Sequence, residues 1–264
     1  MEWLPLARED VRRFRHEGFL RLDSFAPPEE VEEVAPIYDR LFLGRTGWAE
    51  GNYFDMGEPD EAEGHVYTAP QLLQLSRYAP ELKTMRLFQR AHALARQILG
   101  PSARLDLDHG IFKPARNSAP TPWHQDEAFW DGRYDHDGLS VWIPLQPVDE
   151  CSGCMQFIPR SHKGEVMRHR TINGDPRVHG LEVPHFDPPF TQPCPLPLGG
   201  ATVHHARTLH YSAPNTSAAN RRAYILVFTG RKRRRLFSRP QHRQMTAQSA
   251  RALRERAAGL VGPA

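Results

Sequence analysis

The sequence predicts a mainly β protein in which N-terminal helices pack around a β core within one domain. Apolar residues recur at helical spacing over the first hundred residues, whereas short strand-like runs follow one another after Gly100. Pro, Gly, Asn and Asp separate these runs, and no helical pattern alternates with them. Successive short strands without intervening helices favour a β-sandwich or barrel over a parallel sheet.

Two helices are predicted in the first part of the chain. Val11 and Phe14 lie three residues apart among charged residues, and Gly18 is placed to end the first helix. The second helix covers 27–42, because Pro and Glu open it and its apolar residues keep helical spacing. Pro36 lies inside this run and predicts a kink or an early end, since proline cannot donate a backbone hydrogen bond.

A third helix is predicted near 80–99, and two long segments are predicted to be loops. The helix has one apolar stripe, formed by Leu87, Ala91, Leu94 and Ile98. The segment 43–70 is aromatic, acidic and rich in Gly, which is typical of a loop. The segment 163–198 contains too many Pro and His residues for a strand, so we expect a loop that covers one mouth of the β core.

Five segments are predicted to be strands: 104–113, 139–145, 155–158, 201–204 and 222–229. The last of them (RAYILVFT) is continuously apolar, which is typical of a buried central strand. Nothing in the composition marks a linker or a repeat, so we expect a single domain over 1–264. In this domain about 1–100 is helical, about 101–230 forms the β core, and 231–264 is a basic C-terminal tail.

Charge and hydropathy exclude several classes of protein. The 34 Lys and Arg residues and the 31 Asp and Glu residues leave a net charge of +3, so no strong field would attract nucleic acid or an anionic membrane. No apolar run approaches the roughly 20 residues that span a bilayer, and the N-terminus lacks the pattern of a signal peptide. Three Cys residues do not make a disulfide framework. We therefore expect a cytoplasmic protein that binds neither nucleic acid nor membrane.

The candidate metal site begins at His124 and Asp126, which are separated by Gln125. In an extended strand, residues i and i+2 point to the same side, so this imidazole and this carboxylate aim at one point. A third nitrogen ligand would complete a 2-His-1-carboxylate site, which suits non-haem Fe(II) because it leaves coordination positions open. Three candidates lie close together downstream, namely His204, His205 and His210.

A basic residue that could bind a co-substrate follows the candidate histidine ligands in the sequence. Arg221 lies eleven residues after His210, next to the predicted central strand. A guanidinium in this place suits a co-substrate with two carboxylates, because its fork pairs with the distal carboxylate while a metal chelates the other end. By strand alternation the neighbouring Arg222 faces away. The HxD motif alone is a weak signal, and this downstream pattern strengthens it.

Several motifs in combination resemble the phytanoyl-CoA dioxygenase family. They are PWHQD at 122–126, LSVWIPL at 139–145, GCMQFIPRSHK at 153–163, and LHYSAPNTS at 209–217 followed by Arg221. Residues 10–34 also resemble the opening of the family, so the resemblance involves nearly the whole chain. It implies a double-stranded β-helix (jelly-roll) core and an enzyme that uses Fe(II), 2-oxoglutarate and O2.

The resemblance implies roles for the residues that match the family's motifs. His124, Asp126 and His210 would hold the iron. Arg221 would form the salt bridge to 2-oxoglutarate, and the hydroxyl of Ser212 would help to hold the same carboxylate.

Further positions also match the family. Trp142 occupies an aromatic position beside the co-substrate. Gln125 and Asn215 match positions that support the site or stabilise a turn. His204 and His205 lack the Ser and Arg that follow the third ligand, so we treat both as strand or edge histidines.

The implied reaction is hydroxylation of an unactivated C–H bond in a small organic molecule, such as a secondary metabolite or an amino acid, with release of succinate and CO2. Asp126 stands where halogenating relatives carry a small residue, so the resemblance implies oxidation rather than halogenation. Desaturation, epimerisation and ring formation with the same cofactors are alternatives. A non-catalytic metal- or ligand-binding module is the alternative of another class. We expect a monomer or a homodimer.

Two other motifs have ordinary explanations. Cys151 and Cys154 have the spacing of a zinc site, but no second pair of ligands follows, so we expect a turn. The basic run at 231–235 is typical of a solvated tail or a subunit contact.

The aromatic residues after the HxD motif suit either a substrate pocket or the core, and we place Phe129 or Trp130 near the pocket. His109 and His162 are predicted to be hydrogen-bonded structural residues.

Overall fold

Thirteen β-strands and four α-helices form the part of the chain that the computed structural model describes, residues 5–59 and 65–239. The strands are β1 (Phe19–Leu22), β2 (Tyr53–Asp55), β3 (Pro70–Leu73), β4 (Arg104–Lys113), β5 (Thr121–His124), β6 (Tyr134–Pro144), β7 (Met155–Phe157), β8 (Arg170–Thr171), β9 (Leu181–Glu182), β10 (Gln192–Cys194), β11 (Ala201–His205), β12 (His210–Ser212) and β13 (Arg221–Arg234). The helices are α1 (Arg8–Glu17), α2 (Pro28–Leu43), α3 (Leu75–Tyr78) and α4 (Arg86–Leu99).

The three predicted helices correspond to α1, α2 and α4. Helix α1 ends where Gly18 adopts a φ of 87° and its amide donates to the Phe14 carbonyl at 2.7 Å. Helix α2 continues through Pro36 to Leu43, so the alternative of an early end is wrong. Tyr38, which follows the proline, is fully buried against the sheet, and this packing offsets the hydrogen bond that proline removes.

Two antiparallel sheets face each other. The larger has seven strands in the order β1-β11-β6-β13-β4-β3-β2, and the smaller has four in the order β10-β7-β12-β5. The segment 163–198 is not simply the predicted loop, because β8 and β9 form a separate two-stranded sheet there and β10 joins the smaller sheet. The predicted β core with helices outside it is confirmed.

Strand alternation divides the apolar core into two layers. On β13, Tyr224, Leu226 and Phe228 pack toward the helices, whereas Ala223, Ile225 and Val227 face the smaller sheet. The inner layer includes a stacked pair of rings, Phe19 and Phe157, with centroids 4.6 Å apart. Arg221 therefore points inward with Ala223 and Ile225, while Arg222 reaches outward to Asp39 on α2 at 2.7 Å.

The segment 43–70 is not simply the predicted loop. It contains β2 and leads into β3, and these two strands extend the larger sheet beyond β4. All three residues of β2 are buried, so its sequence carries no alternation of apolar and polar residues that would indicate a strand.

The C-terminal boundary of the core also differs from the prediction. Strand β13 continues to Arg234, where it still pairs with Tyr134 of β6, so 231–234 belong to the sheet and not to a tail. Residues 240–264, the rest of the predicted tail, lie outside the described residues. No helix in the described ranges is long and apolar enough to cross a membrane.

Candidate active site

Three side chains that could hold a metal ion meet between β5 and β12. His124 and His210 lie directly opposite each other on these paired strands. Strand β5 ends at His124 and a short 3-10 helix begins at Asp126, yet Gln125 between them keeps extended angles (φ −127°, ψ 126°). The side chains of His124 and Asp126 therefore still point to the same side of the backbone, as predicted. The candidate ligand atoms of His124, Asp126 and His210 all lie within 4.8 Å of one another.

Backbone carbonyls orient both imidazole rings. Nδ1 of His124 donates to the Pro122 carbonyl at 2.7 Å, and Nδ1 of His210 donates to the Thr208 carbonyl at 2.9 Å. Each Nε2 is thus left with its lone pair, 3.7 Å (His124) and 3.5 Å (His210) from Oδ1 of Asp126. This is the tautomer that a metal ion requires of its histidine ligands.

The second carboxylate oxygen of Asp126 is held by the larger sheet. Oδ2 accepts a hydrogen bond from the Ser140 hydroxyl at 2.7 Å and another from Nε2 of His204 at 3.2 Å. Only Oδ1 therefore faces the two ligand imidazoles. His204 is a strand histidine on β11, as predicted, but its buried ring also orients the carboxylate of Asp126, which sequence reasoning did not anticipate. His205 points elsewhere, and its Nδ1 accepts from the amide of Arg207 at 3.0 Å.

Electrostatics keep the three candidate ligands in the form that binds metal. Burial lowers the pKa of both His124 and His210, so both rings are neutral at pH 7. Burial acts to raise the pKa of Asp126, but the imidazoles of His210, His204 and His124 outweigh it and hold that pKa well below its usual range. Two neutral imidazoles and one carboxylate are what a divalent metal needs, since bound ligands must be deprotonated.

A basic pocket lies beside the three candidate ligands. Arg221 is buried, and its guanidinium donates to the Ile111 carbonyl at 3.3 Å and to the Ser212 hydroxyl at 3.5 Å. Its Nε is buried without a hydrogen-bond partner. The Trp142 ring centroid lies 5.6 Å from its Cζ. Burial lowers the pKa of Arg221 to about 10, so it remains charged at pH 7.

Lys113 is a second buried basic residue, next to this pocket, and sequence reasoning missed it. It lies opposite Arg221 in the register of β4 and β13. Its Nζ donates to the Ser212 carbonyl at 2.8 Å, the Ser212 hydroxyl at 3.0 Å and the Ala213 carbonyl at 2.6 Å. Burial, with the neighbouring Arg221 charge, lowers its pKa well below the usual range. Alternation along the predicted strand 104–113 was the signal that could have placed it inside.

This pocket fits one carboxylate of a dicarboxylic acid. Two buried basic residues share Ser212, and the contacts that they make in the described structure are with carbonyl, hydroxyl and ring groups. Arg221 is the one that is charged at pH 7. A carboxylate would neutralise this charge and supply an acceptor for the unpartnered Nε of Arg221.

Gln125 and Asn215 support the site without lining its cavity. The Gln125 amide donates to the Arg207 carbonyl at 2.8 Å and accepts from the Met167 amide at 2.8 Å, which ties the HxD strand to the segment 163–198. Asn215 donates to the carbonyls of Lys113 at 3.1 Å and Ala219 at 2.7 Å. The predicted turn-stabilising role matches these contacts of Asn215.

The three candidate ligands and the basic pocket open into one cavity of about 400 Å³. Its far wall includes Phe129 and Trp130, as predicted for at least one of them. His109 accepts a hydrogen bond from Gln71 at 2.8 Å, as expected of a hydrogen-bonded residue, and it also lines the cavity, which the sequence did not predict. The segment 163–198 closes one side, where the Gly180 amide donates to the Met56 carbonyl at 3.0 Å.

A buried ion network supports the turn that carries Asp126. Glu127 accepts from Arg207 Nε at 2.7 Å and from Arg239 at 2.7 Å, and Arg207 also reaches Asp135 at 2.9 Å. Burial acts to raise the pKa of Glu127, but the arginines outweigh it and lower that pKa. Arg235, from the basic run, pairs with Asp135 as well, so this residue is structural rather than solvated.

Replacing Arg207 with Met is expected to lower the free energy of unfolding by about 3 kcal/mol, because it removes a partner from a buried charge. Equilibrium unfolding in urea measures this loss. The contribution is present above the pKa of an unfolded Glu, about 4.3, and disappears as the pH falls and Glu127 is protonated. Arg170→Met is the control, since its ion pair with Glu182 is exposed and worth about 0–1 kcal/mol. Equal losses in both variants would contradict the prediction.

Replacing His204 with Leu is expected to weaken Fe(II) binding by about 10- to 100-fold, the usual effect of removing a group that orients a metal ligand. Anaerobic titration with Fe(II) measures the affinity. The adjacent variant His205→Leu is the control, and we expect little change there because His205 does not contact Asp126. Complete loss of iron binding in His204→Leu would show instead that His204 is itself a ligand.

Two antiparallel sheets face each other, with two histidines and one carboxylate between them. This arrangement is typical of non-haem Fe(II) oxygenases with a jelly-roll fold. A family model described as phytanoyl-CoA dioxygenase (PhyH) matches residues 14–223, and the chain belongs to this family. The group of side chains that could hold a metal ion among the described residues consists of His124, Asp126 and His210. Cys151 and Cys154 do not form a metal site in this part of the chain.

Known proteins share both the sequence and the fold. The solved structure of EvdO2 from Micromonospora carbonacea var. aurantiaca complexed with 2-oxoglutarate is 34% identical, with 90% of this chain and 97% of that chain covered and a TM-score of 0.77. A probable alpha-ketoglutarate-dependent hypophosphite dioxygenase from Stutzerimonas stutzeri is 31% identical over 227 residues, covering 83% of this chain and 77% of that protein. A phytanoyl-CoA dioxygenase domain-containing protein 1 from Danio rerio is 28% identical over 259 residues, covering 83% of this chain and 88% of that protein.

The expected jelly-roll fold, family and cofactor class are thereby confirmed. The protein is an Fe(II)- and 2-oxoglutarate-dependent dioxygenase, and its cofactors and co-substrates are Fe(II), 2-oxoglutarate and O2.

Proposed function

We propose that this dioxygenase hydroxylates an unactivated C–H bond of a small organic molecule and releases succinate and CO2 from 2-oxoglutarate. One observation carries the proposal: two oriented imidazoles and an ionised carboxylate lie beside a buried basic pocket, within a single cavity. In this proposal His124, Asp126 and His210 hold Fe(II). Iron bound there activates O2 at the expense of 2-oxoglutarate.

The remaining residues bind, orient and exclude water. Arg221 and Ser212 hold the distal carboxylate of 2-oxoglutarate, and the hydrogen bond from Lys113 positions the Ser212 hydroxyl. Trp142 forms a wall beside this carboxylate, with its ring 5.6 Å from the guanidinium carbon. The short hydrogen bond from Ser140 keeps Oδ2 of Asp126 occupied, so one oxygen remains for the metal.

The cavity protects the reaction from solvent. The segment 163–198 contributes Ile172, His179 and Leu181 to the wall opposite β4, and it is anchored by the contact of Met167 with Gln125. Exclusion of water limits side reactions while the oxidant is present. This closed wall supports turnover on a bound organic substrate rather than a passive metal-binding role.

The experiment is an anaerobic titration of the metal-free protein with Fe(II) and 2-oxoglutarate, followed by a succinate assay in air. We expect the visible charge-transfer band of the iron–2-oxoglutarate complex and then substrate-stimulated succinate formation. A product that contains one added oxygen atom would establish hydroxylation, whereas loss of two hydrogens would indicate desaturation or ring formation. Failure to bind Fe(II) would support the non-catalytic binding module instead.

A further inference from the structure

One wall of the cavity is built by the edge strand β2 with the neighbouring strands β3 and β4. The Leu73 amide donates to the Asn52 carbonyl at 2.8 Å, and Leu73 pairs with His109 in register. Residues that pair across antiparallel strands point to the same face. Leu73 and His109 therefore lie in one row across β3 and β4, and Asn52, directly before β2, continues this row. All three residues line the cavity. We call the cavity wall formed by Asn52, Gln71, Leu73, Asp106 and His109 the distal wall.

His109 presents a hydrogen-bond donor to the cavity. Its Nδ1 accepts from the Gln71 amide at 2.8 Å, and an imidazole nitrogen that accepts is not protonated. The ring is therefore neutral and its hydrogen is on Nε2. Gln71 is itself buried, so this tautomer is held in place.

Asn52 presents an acceptor that the protein does not use. The side chain is 1% exposed, and its amide nitrogen donates to the Tyr78 hydroxyl at 2.7 Å. Its Oδ1 is buried without a hydrogen-bond partner. Buried polar atoms are almost always hydrogen-bonded, so this oxygen is an acceptor that a donor on a molecule bound against Asn52 would satisfy.

The charges along this wall of the cavity exclude anions. Arg221 is the single cationic Lys or Arg side chain among the described residues that line the cavity, and it lies in the basic pocket. The distal wall instead carries the carboxylate of Asp106, which is exposed at the mouth. A buried anion without a partner cation is strongly unfavourable. A carboxylate or phosphate group on the substrate would therefore meet repulsion and no compensating pair.

We propose that the substrate is a hydroxyl-rich molecule without an anionic group, of the glycoside or cyclitol class, held by the distal wall. Strands β2 and β4 lie two strand spacings apart, about 9.6 Å, so Asn52 and His109 contact different positions of one molecule. Hydroxyl groups both donate and accept, which serves the Asn52 acceptor and the His109 donor alike. Asp106 accepts further hydroxyl donors at the mouth. This inference rests on the proposed function, because it takes Arg221 as the partner of 2-oxoglutarate.

The test compares neutral sugars with their anionic counterparts. The charge-transfer band with Fe(II) and 2-oxoglutarate is recorded first, so that failure of the proposed function is seen separately. Succinate formation is then measured with a library of neutral glycosides and cyclitols, with the matching glucuronides and sugar 6-phosphates, and with hypophosphite. We expect one or more neutral members to stimulate succinate formation by about tenfold or more and their anionic counterparts to fail. Stimulation by an anion, or no response to any neutral member while the band forms, would overturn the proposal.

Variants of the distal wall provide the second part of the test. With the stimulating glycoside, Asn52→Leu and His109→Leu are expected to raise its KM by about tenfold, because each leaves a substrate hydroxyl unpaired. His109→Gln retains an N–H donor and is expected to recover most of the loss. The charge-transfer band reports whether each variant still assembles the iron site. An unchanged KM in both Leu variants would contradict the assignment of these residues.

Discussion

Replacing Asp126 with Ala is expected to abolish Fe(II) binding and to reduce succinate formation by more than about 100-fold. The loss exceeds the 10- to 100-fold effect of removing a group that merely orients a ligand, because the carboxylate is itself one of the three proposed ligands. Its removal also leaves the His204 donor and the Ser140 hydroxyl without their common acceptor. Fe(II) binding by anaerobic titration and succinate release are the two measurements.

The control for this prediction is Asp175→Ala. Asp175 forms an exposed pair with Arg177 and does not contact the candidate metal site, so this variant also removes one aspartate. We expect it to bind Fe(II) as the unmodified protein does. If Asp126→Ala retained iron with unchanged affinity, the metal would have to lie elsewhere, and the proposed function would lose its central observation.

Replacing Arg221 with Ala is expected to weaken 2-oxoglutarate binding by at least about 2 kcal/mol, roughly 30-fold in Kd, because a buried charge pair loses its cation. Arg221→Lys is expected to recover only part of this, since an ammonium group cannot reproduce the two-point contact of a guanidinium. Titration of the charge-transfer band with 2-oxoglutarate at saturating Fe(II) measures Kd.

The adjacent variant Arg222→Ala is a matched control. Arg222 faces outward and pairs with Asp39, so its loss leaves the basic pocket intact. The Arg221 variants are expected to remain folded, because Arg221 makes only long hydrogen bonds of 3.3 and 3.5 Å. Loss of its charge also removes one of the two causes that lower the pKa of Lys113. Equal affinity in Arg221→Ala and Arg222→Ala would show that another cation holds the co-substrate.

The local pattern of the chain accounts for the parts of the site that lie close together in sequence. The two-residue spacing of His124 and Asp126 correctly predicted that their side chains point to the same side of the backbone, even though the strand ends between them. The spacing from His210 to Arg221 was also informative, because β12 and β13 are successive strands. Strand 104–113 was predicted with the bounds that β4 has.

The parts that were missed depend on contacts between distant segments. Lys113 is 99 residues from Ser212, and His204 is 78 residues from Asp126, so no spacing rule connects these pairs. Strands β2 and β3 are short strands at one end of the larger sheet, and β2 is buried throughout. A strand of this kind lacks the alternation that identifies a strand from sequence.

The place of β13 in the sheet has a consequence for biosynthesis. This strand follows the other twelve in the chain, yet it lies between β4 and β6 and pairs with both along most of their length. Until the ribosome has released β13, the long strands β4 and β6 each keep an unpaired edge. Unpaired strand edges promote aggregation. The same strand begins with Arg221, so the nascent chain completes its central sheet and its basic pocket in a single late step.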